Sequence, residues 1–114
     1  MDFEVDVIVD IGTEEFYRAA RYQTPLSVIL LNSDEKDIFA LIEKNIRPTD
    51  MIQQISSNLI VIFLSHTLKA DAEVFINNIQ KTILFTCSIG EYTGFKTEFI
   101  QNLILENEKL NKES

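Results

Sequence analysis

Several things are scarce in this sequence. Cys87 is the only cysteine, so no disulfide can close within the chain. A one-cysteine composition fits a reducing compartment, and a cytoplasmic location is the expectation. Three glycines and two prolines exclude collagen-like and low-complexity classes. No apolar run comes near the roughly 18–20 residues that a membrane-spanning helix needs. Basic residues are outnumbered, ten Lys and Arg against eighteen Asp and Glu, for a net charge of −8. Such a field repels nucleic acid and anionic membrane, leaving proteins and small ligands as the partners to consider. A local basic pocket for a small anion stays open. The chain begins MDFEVD, acidic where a targeting segment would be basic.

What is present reads as one domain spanning residues 1–114. The chain is 46% hydrophobic, and a domain of this size buries roughly two thirds of its unfolded surface, enough for a two-layer core. Phe3, Val5, Val7 and Val9 alternate with Asp2, Glu4, Asp6 and Asp10, which predicts an N-terminal edge strand with a solvated acidic face, ended by Gly12. Thr13 is the expected cap of a helix running to about Tyr22 with Phe16, Ala19 and Ala20 on one face. After Pro25, LSVILL reads as a buried strand. Ser33 is the N-cap candidate of a second helix with Ile38, Leu41, Ile42 and Ile46 inward, stopped near Asn45 by Pro48. DMIQQI and LIVIFL follow as strands joined by Ser56–Asn58. TLKADAEVFINNIQK is amphipathic, with Leu68, Ala72, Phe75, Ile76 and Ile79 at helical spacing. ILFTCSIG is a last strand, and a helix from about Thr97 should fray at its end. The centre, Leu26 to Ile89, is therefore βαββαβ. The expected fold class is α+β: a ferredoxin-like, antiparallel-rich sheet with its helices on one face, plus an N-terminal strand and a C-terminal helix.

Three segments in order carry a family resemblance. FYRAARYQTPLSVILLNSD resembles the opening of the GGDEF domains, the diguanylate cyclases, where a helix ending in AxR leads through PLS to a strand ending in DxD. RPTDMIQQISSNLIVIFL resembles their central segment, where RxxD precedes a short strand, the signature hairpin and a buried strand. TCSIG resembles the TxSxG strand near the domain end. The similarity covers about Thr13 to Thr93. On it, Ser56, Ser57, Asn58, Leu59 and Ile60 stand at the five signature positions.

The resemblance implies a bacterial cyclic di-GMP signalling domain, and the residues at its key positions imply a truncated, degenerate one. The family joins two GTP molecules, using magnesium held by carboxylates that offset charge as oxygens attack and leave. The strand-end position here is Asn32 and the acidic pair is Asn58 and Leu59, so only Asp34 of DxD survives. Ser56 and Ser57 replace glycines that let the backbone approach substrate. The stretch that grips guanine is missing between Asn32 and Arg47. The expectation is an inactive pseudoenzyme with no metal or cofactor, working by docking to a protein partner or to itself. The apolar stripe Phe99, Ile100, Leu103, Ile104 and Leu110 is one surface for that.

The alternative is a cyclic di-GMP receptor. Arg47 and Asp50 form RPTD at the spacing of the family's inhibitory product site, and a planar guanidinium suits both phosphate and a guanine edge. The competing reading is a corner in which the two side chains pair with each other or cap the turn. Arg18 and Arg21 lie on another helix, and nothing in the sequence brings them near. His66 lacks Cys or His partners for zinc. Ser65, His66 and Asp71 lack a nucleophile elbow. Cys87 shares a strand phase with Ile83, Phe85 and Ile89 and reads as a small core hydrophobe.

Overall fold

The computed structural model describes the backbone of residues 2–113 and the side chains of 4–111. Nine elements follow one another: α1 (Asp2–Ile11), α2 (Thr13–Tyr22), β1 (Leu26–Asn32), α3 (Ile38–Asn45), β2 (Met51–Ser56), β3 (Leu59–Ser65), α4 (Lys69–Gln80), β4 (Thr86–Glu91) and α5 (Lys96–Glu113). From β1 to β4 this is the expected βαββαβ order.

The first element is a helix and not a strand. Val5 and Ile8 are buried, and Val9 and Ile11 pack partly against the same core. Val5, Ile8 and Ile11 step by three as a helix requires, whereas Ile8 breaks the alternating phase, and Glu4, Asp6 and Asp10 remain on the solvent side. The side chains of Asp2 and Phe3 lie outside the described residues. The cap of α2 is Gly12 and not Thr13. The Thr13 hydroxyl instead donates back to the carbonyls of Asp10 and Val9, at 2.9 and 3.3 Å. Ser33 likewise caps no helix. Its Oγ accepts from the Glu35 N–H at 3.1 Å in a local turn, and Asp37 precedes α3. The α5 end expected to fray extends beyond the described side chains.

The sheet order is β2-β3-β1-β4, and every neighbouring pair is antiparallel. β1 and β3 are its buried centre: Leu26 to Leu31 and Leu59 to Leu64 are buried throughout, because side chains on both faces meet helices. The two-layer expectation is therefore corrected to three layers. α3 and α4 cover one face, with Ile38, Ile42, Ala72, Ile76 and Ile79 against Ile29, Leu31, Ile60 and Ile62. α1, α2 and α5 cover the other, with Val5, Ile8, Phe16, Ile100, Leu103 and Ile104 against Val28, Leu30, Val61 and Phe63. Phe99, Ile100, Leu103 and Ile104 of the α5 stripe are thus taken up by the chain's own core, Leu110 is half-buried outside it, and Leu105 is 51% exposed. Burying a side chain of this size contributes about 1.5–3 kcal/mol, so these two cores supply the main driving force for the fold.

Phe16 sits at the hub of the second core. Its ring lies 5.6 Å from Phe63, 4.8 Å from Tyr92 and 6.3 Å from Phe99, in edge-on or tilted contacts. Three buried polar side chains are each satisfied by backbone: Ser27 Oγ donates to Thr67 O, Ser88 Oγ to Leu103 O, and Asn107 Nδ2 to Leu30 O, at 2.8, 3.0 and 3.0 Å. The last ties α5 to the middle of β1.

Candidate functional site

The β2–β3 hairpin tip and the end of β1 meet at one rim of the sheet. Asn32 pairs with Leu59, and the Ser33 N–H donates to the Asn58 carbonyl at 3.1 Å. The tip is held locally: Ser56 Oγ donates to Asn58 Oδ1 at 3.2 Å, and Gln54 Nε2 donates to the carbonyls of Ser56 and Leu59. A cleft of about 750 Å³ opens beside it, lined by Asn32, Ser33, Asp34, Glu35, Asn58, Leu84, Phe85, Thr86 and Asn111. So the fold does bring together Asn32, Asp34 and Asn58, which sequence spacing alone only aligned. Ser56 and Ser57 are exposed beside the cleft without lining it. Leu59 points the other way, into the core shared with α1, α2 and α5.

The cleft has a defined chemistry. Among the described residues no lysine or arginine lines it, so no described side chain there offsets the charge of a triphosphate. Its acidic residues, Asp34 and Glu35, sit on an exposed loop, and its strand-end groups are the neutral amides of Asn32 and Asn58. Asn32 Oδ1 is buried and has no hydrogen-bond partner among the described residues. Among the described residues, no three His, Cys, Asp or Glu side chains come together to hold a metal. This donor set does not fit a magnesium pair, which needs several anionic oxygens.

Arg47 and Asp50 occupy the corner between α3 and β2, at the opposite end of β3 from the hairpin tip. Arg47 Nε and Nη2 donate to Asp50 Oδ2 and Oδ1, and the Arg47 backbone N–H adds a third bond at 2.9 Å. The Ser65 N–H also donates to Asp50 Oδ1, at 3.0 Å. Arg47 Nη2 reaches on to Ser65 O and Thr67 Oγ1, at 2.6 and 2.8 Å. The Asp50 side chain is 2% exposed and that of Arg47 53%. Hydrogen bonding to Asp50 raises the Arg47 guanidinium above its ordinary pKa, against a smaller opposing effect of burial. The corner is therefore a stitched joint between the start of β2 and the end of β3. Ser65 and Thr67 are its unforeseen members. The only signal for them in the sequence is a pair of hydroxyls flanking the end of a strand.

The remaining candidates separate. Ser65 Oγ donates to Thr49 O at 3.0 Å, and no hydrogen bond among the described residues links it to His66 or Asp71. His66 is exposed at φ +52. Arg18 pairs with Glu15 at 2.6 Å and Glu14 at 3.3 Å, and Arg21 lies over the Tyr22 ring at 5.7 Å. The fold brings Arg18 closer to the corner than the sequence foresees: it lines a small cleft with Ser65, whose carbonyl Arg47 binds. Cys87 is half-buried against the α3–α4 core, and burial, with a smaller contribution from Glu106, pushes its thiol up to about 11.

No protein-family model matches the chain, and no curated protein matches it. Among solved structures it is similar to a DGC (diguanylate cyclase) protein from Thermotoga maritima, at 20% identity and a TM-score of 0.63, over 91% of each chain. Among the described residues no helix is long and apolar enough to cross a membrane. The likeness to that protein is one of fold: a four-stranded antiparallel sheet in a GGDEF-like, ferredoxin-like arrangement.

Proposed function

We propose that the chain is a non-catalytic, GGDEF-like signalling or interaction module that has lost diguanylate cyclase chemistry. The cleft at the β1 end and the hairpin tip carries this reading. At the place where the resembling family holds magnesium and GTP, it presents three amides, two exposed carboxylates and, among the described residues, no cation. Leu59, at a position the family gives to a carboxylate, is 8% exposed in the core. Such a domain acts by docking to a protein partner or to itself in cytoplasmic signalling. The test is to incubate purified protein with GTP and magnesium and resolve the products chromatographically. No cyclic di-GMP and no phosphate release are expected. Turnover that follows the protein through purification and disappears in Asp34→Ala overturns the reading.

A second reading, a cyclic di-GMP receptor, draws on one observation. The Arg47 side chain is half exposed beside a cleft of about 240 Å³ that it lines with Asp50 and Asp71. Against it stands the Asp50 carboxylate, buried and accepting hydrogen bonds at both oxygens.

A further inference from the structure

Two helices at one end of the sheet start on residues that cannot cap them. Leu68 precedes α4, and Phe95 precedes α5, its carbonyl accepting the Phe99 N–H at 2.9 Å. Capping positions favour Ser, Thr, Asp and Asn, whose side chains accept the helix's free N–H groups. In α4 the service comes from β4 instead, where Glu91 accepts from the Lys69 N–H at 2.7 Å. Both apolar side chains stand in solvent, Leu68 52% and Phe95 84% exposed. Phe95 also has φ +55, a left-handed conformation that a bulky aromatic rarely adopts. One residue thus departs from three local preferences at once, which points to a demand from outside the fold.

Beside it lies a groove of about 470 Å³ with apolar walls from Ala19, Ala20, Pro25, Leu68 and Tyr92. Gly94, which also lines it, is bonded directly to Phe95. We propose that this end of the molecule is a self-association face, where Phe95 of one copy enters the groove of a second copy and receives that copy's Phe95 in return. The proposal rests on the reading of the chain as an interaction module and names its partner. Knob and hole stand side by side on one surface, as an isologous two-fold contact requires.

Charge makes this end the least costly place for two copies of an acidic chain to meet. The chain carries −8, yet the segments forming this end, residues 14–24, 65–71 and 91–98, hold four basic and five acidic residues, a net −1. Two copies meeting here keep their remaining acidic surfaces apart, whereas a basic partner would be drawn to those surfaces. A standard contact of about 800 Å² per partner is about an eighth of the 6854 Å² surface.

The experiment is sedimentation equilibrium of the full chain from about 5 to about 500 μM, a range that brackets micromolar dissociation constants. The wild type should pass from monomer to dimer. Phe95→Asn keeps a residue tolerant of the left-handed conformation and able to cap α5, and it should weaken the dimer at least tenfold without lowering the thermal midpoint. Ala20→Trp, which fills the groove from an exposed position, should do the same. A wild type that stays monomeric throughout overturns the proposal, as does a dimer that survives both substitutions. Neither result touches the GTP assay, so a monomer without turnover sinks the dimer alone, and turnover sinks the non-catalytic reading alone.

Discussion

Arg47 and Asp50 form two parallel hydrogen bonds, Nε to Oδ2 at 3.0 Å and Nη2 to Oδ1 at 2.9 Å, and the aspartate is the buried member. The pair is therefore asymmetric. Asp50→Ala strands the Arg47 and Ser65 N–H donors and should cost about 2–4 kcal/mol. Arg47→Ala leaves Asp50 its two backbone N–H donors and should cost about 1–2 kcal/mol. Urea denaturation at neutral pH checks the order, and equal losses contradict it.

The same asymmetry bears on ligand binding. Asp50 has no free oxygen for a guanine, so calorimetric titration with cyclic di-GMP should give no heat of binding at ligand concentrations of about 100 μM, where a matching Kd corresponds to about 5.5 kcal/mol. Binding that Arg47→Ala removes while the variant keeps its native circular dichroism would make the receptor reading the correct one.

Gly12 offers a test of packing at a helix cap. Ala is already a poorer N-cap than Gly. Here a Cβ would lie 2.5 Å from two ring carbons of Phe63 and 2.9 Å from Phe16 Cε2. Phe63 is fully buried and cannot withdraw. Gly12→Ala should therefore destabilise by about 1–3 kcal/mol, and adding Phe63→Leu should recover part of the loss. Thermal unfolding of the wild type and the two variants decides it.

Cys87 makes an alkaline prediction. Its thiol is raised in the folded chain to about 11, above the ordinary value of 9.0, so the folded state holds this proton more tightly than the unfolded state does. That contribution is complete below about pH 9 and is lost as pH rises toward about 11. Stability of the wild type should fall over that window more than that of Cys87→Ala, measured by urea titrations at pH 8 and pH 10.5. Equal falls in the two proteins remove the effect.

Most of the core was legible because its pattern admits one reading. LSVILL and LIVIFL are apolar at every position but Ser27, which suits buried strands, and β1 and β3 are those strands. Pro48 stops α3 after Asn45 as expected. The N-terminal segment failed for a physical reason. Alternating valines and acids satisfy a strand, but Val5, Ile8 and Gly12 also fall one helical turn apart, and packing against α5 selects the helix. The covered second face was invisible for a related reason, since α1 was placed in the sheet. At the site, the residues Asn32, Asp34 and Asn58 could be aligned, and the cleft uniting them could not. Burial of Leu59 follows from register, which apolar patterning inside a doubly covered strand does not specify.

The sheet order carries a consequence for synthesis. β1 is the first strand made, yet its neighbours are β3 and β4, so Leu26 waits for Ser65 and Ser27 for Glu91. Leu30 then receives Asn107, 77 residues further on. On a ribosome delivering the chain from its N-terminus at roughly 5–20 residues per second, a largely apolar strand is exposed for seconds before either flank exists. α1 and α2 emerge before it and carry Val5, Ile8 and Phe16, apolar side chains that cover it in the folded chain. Destabilising that pair, as Gly12→Ala does, should therefore lower the yield of folded chain by more than its equilibrium cost alone would suggest.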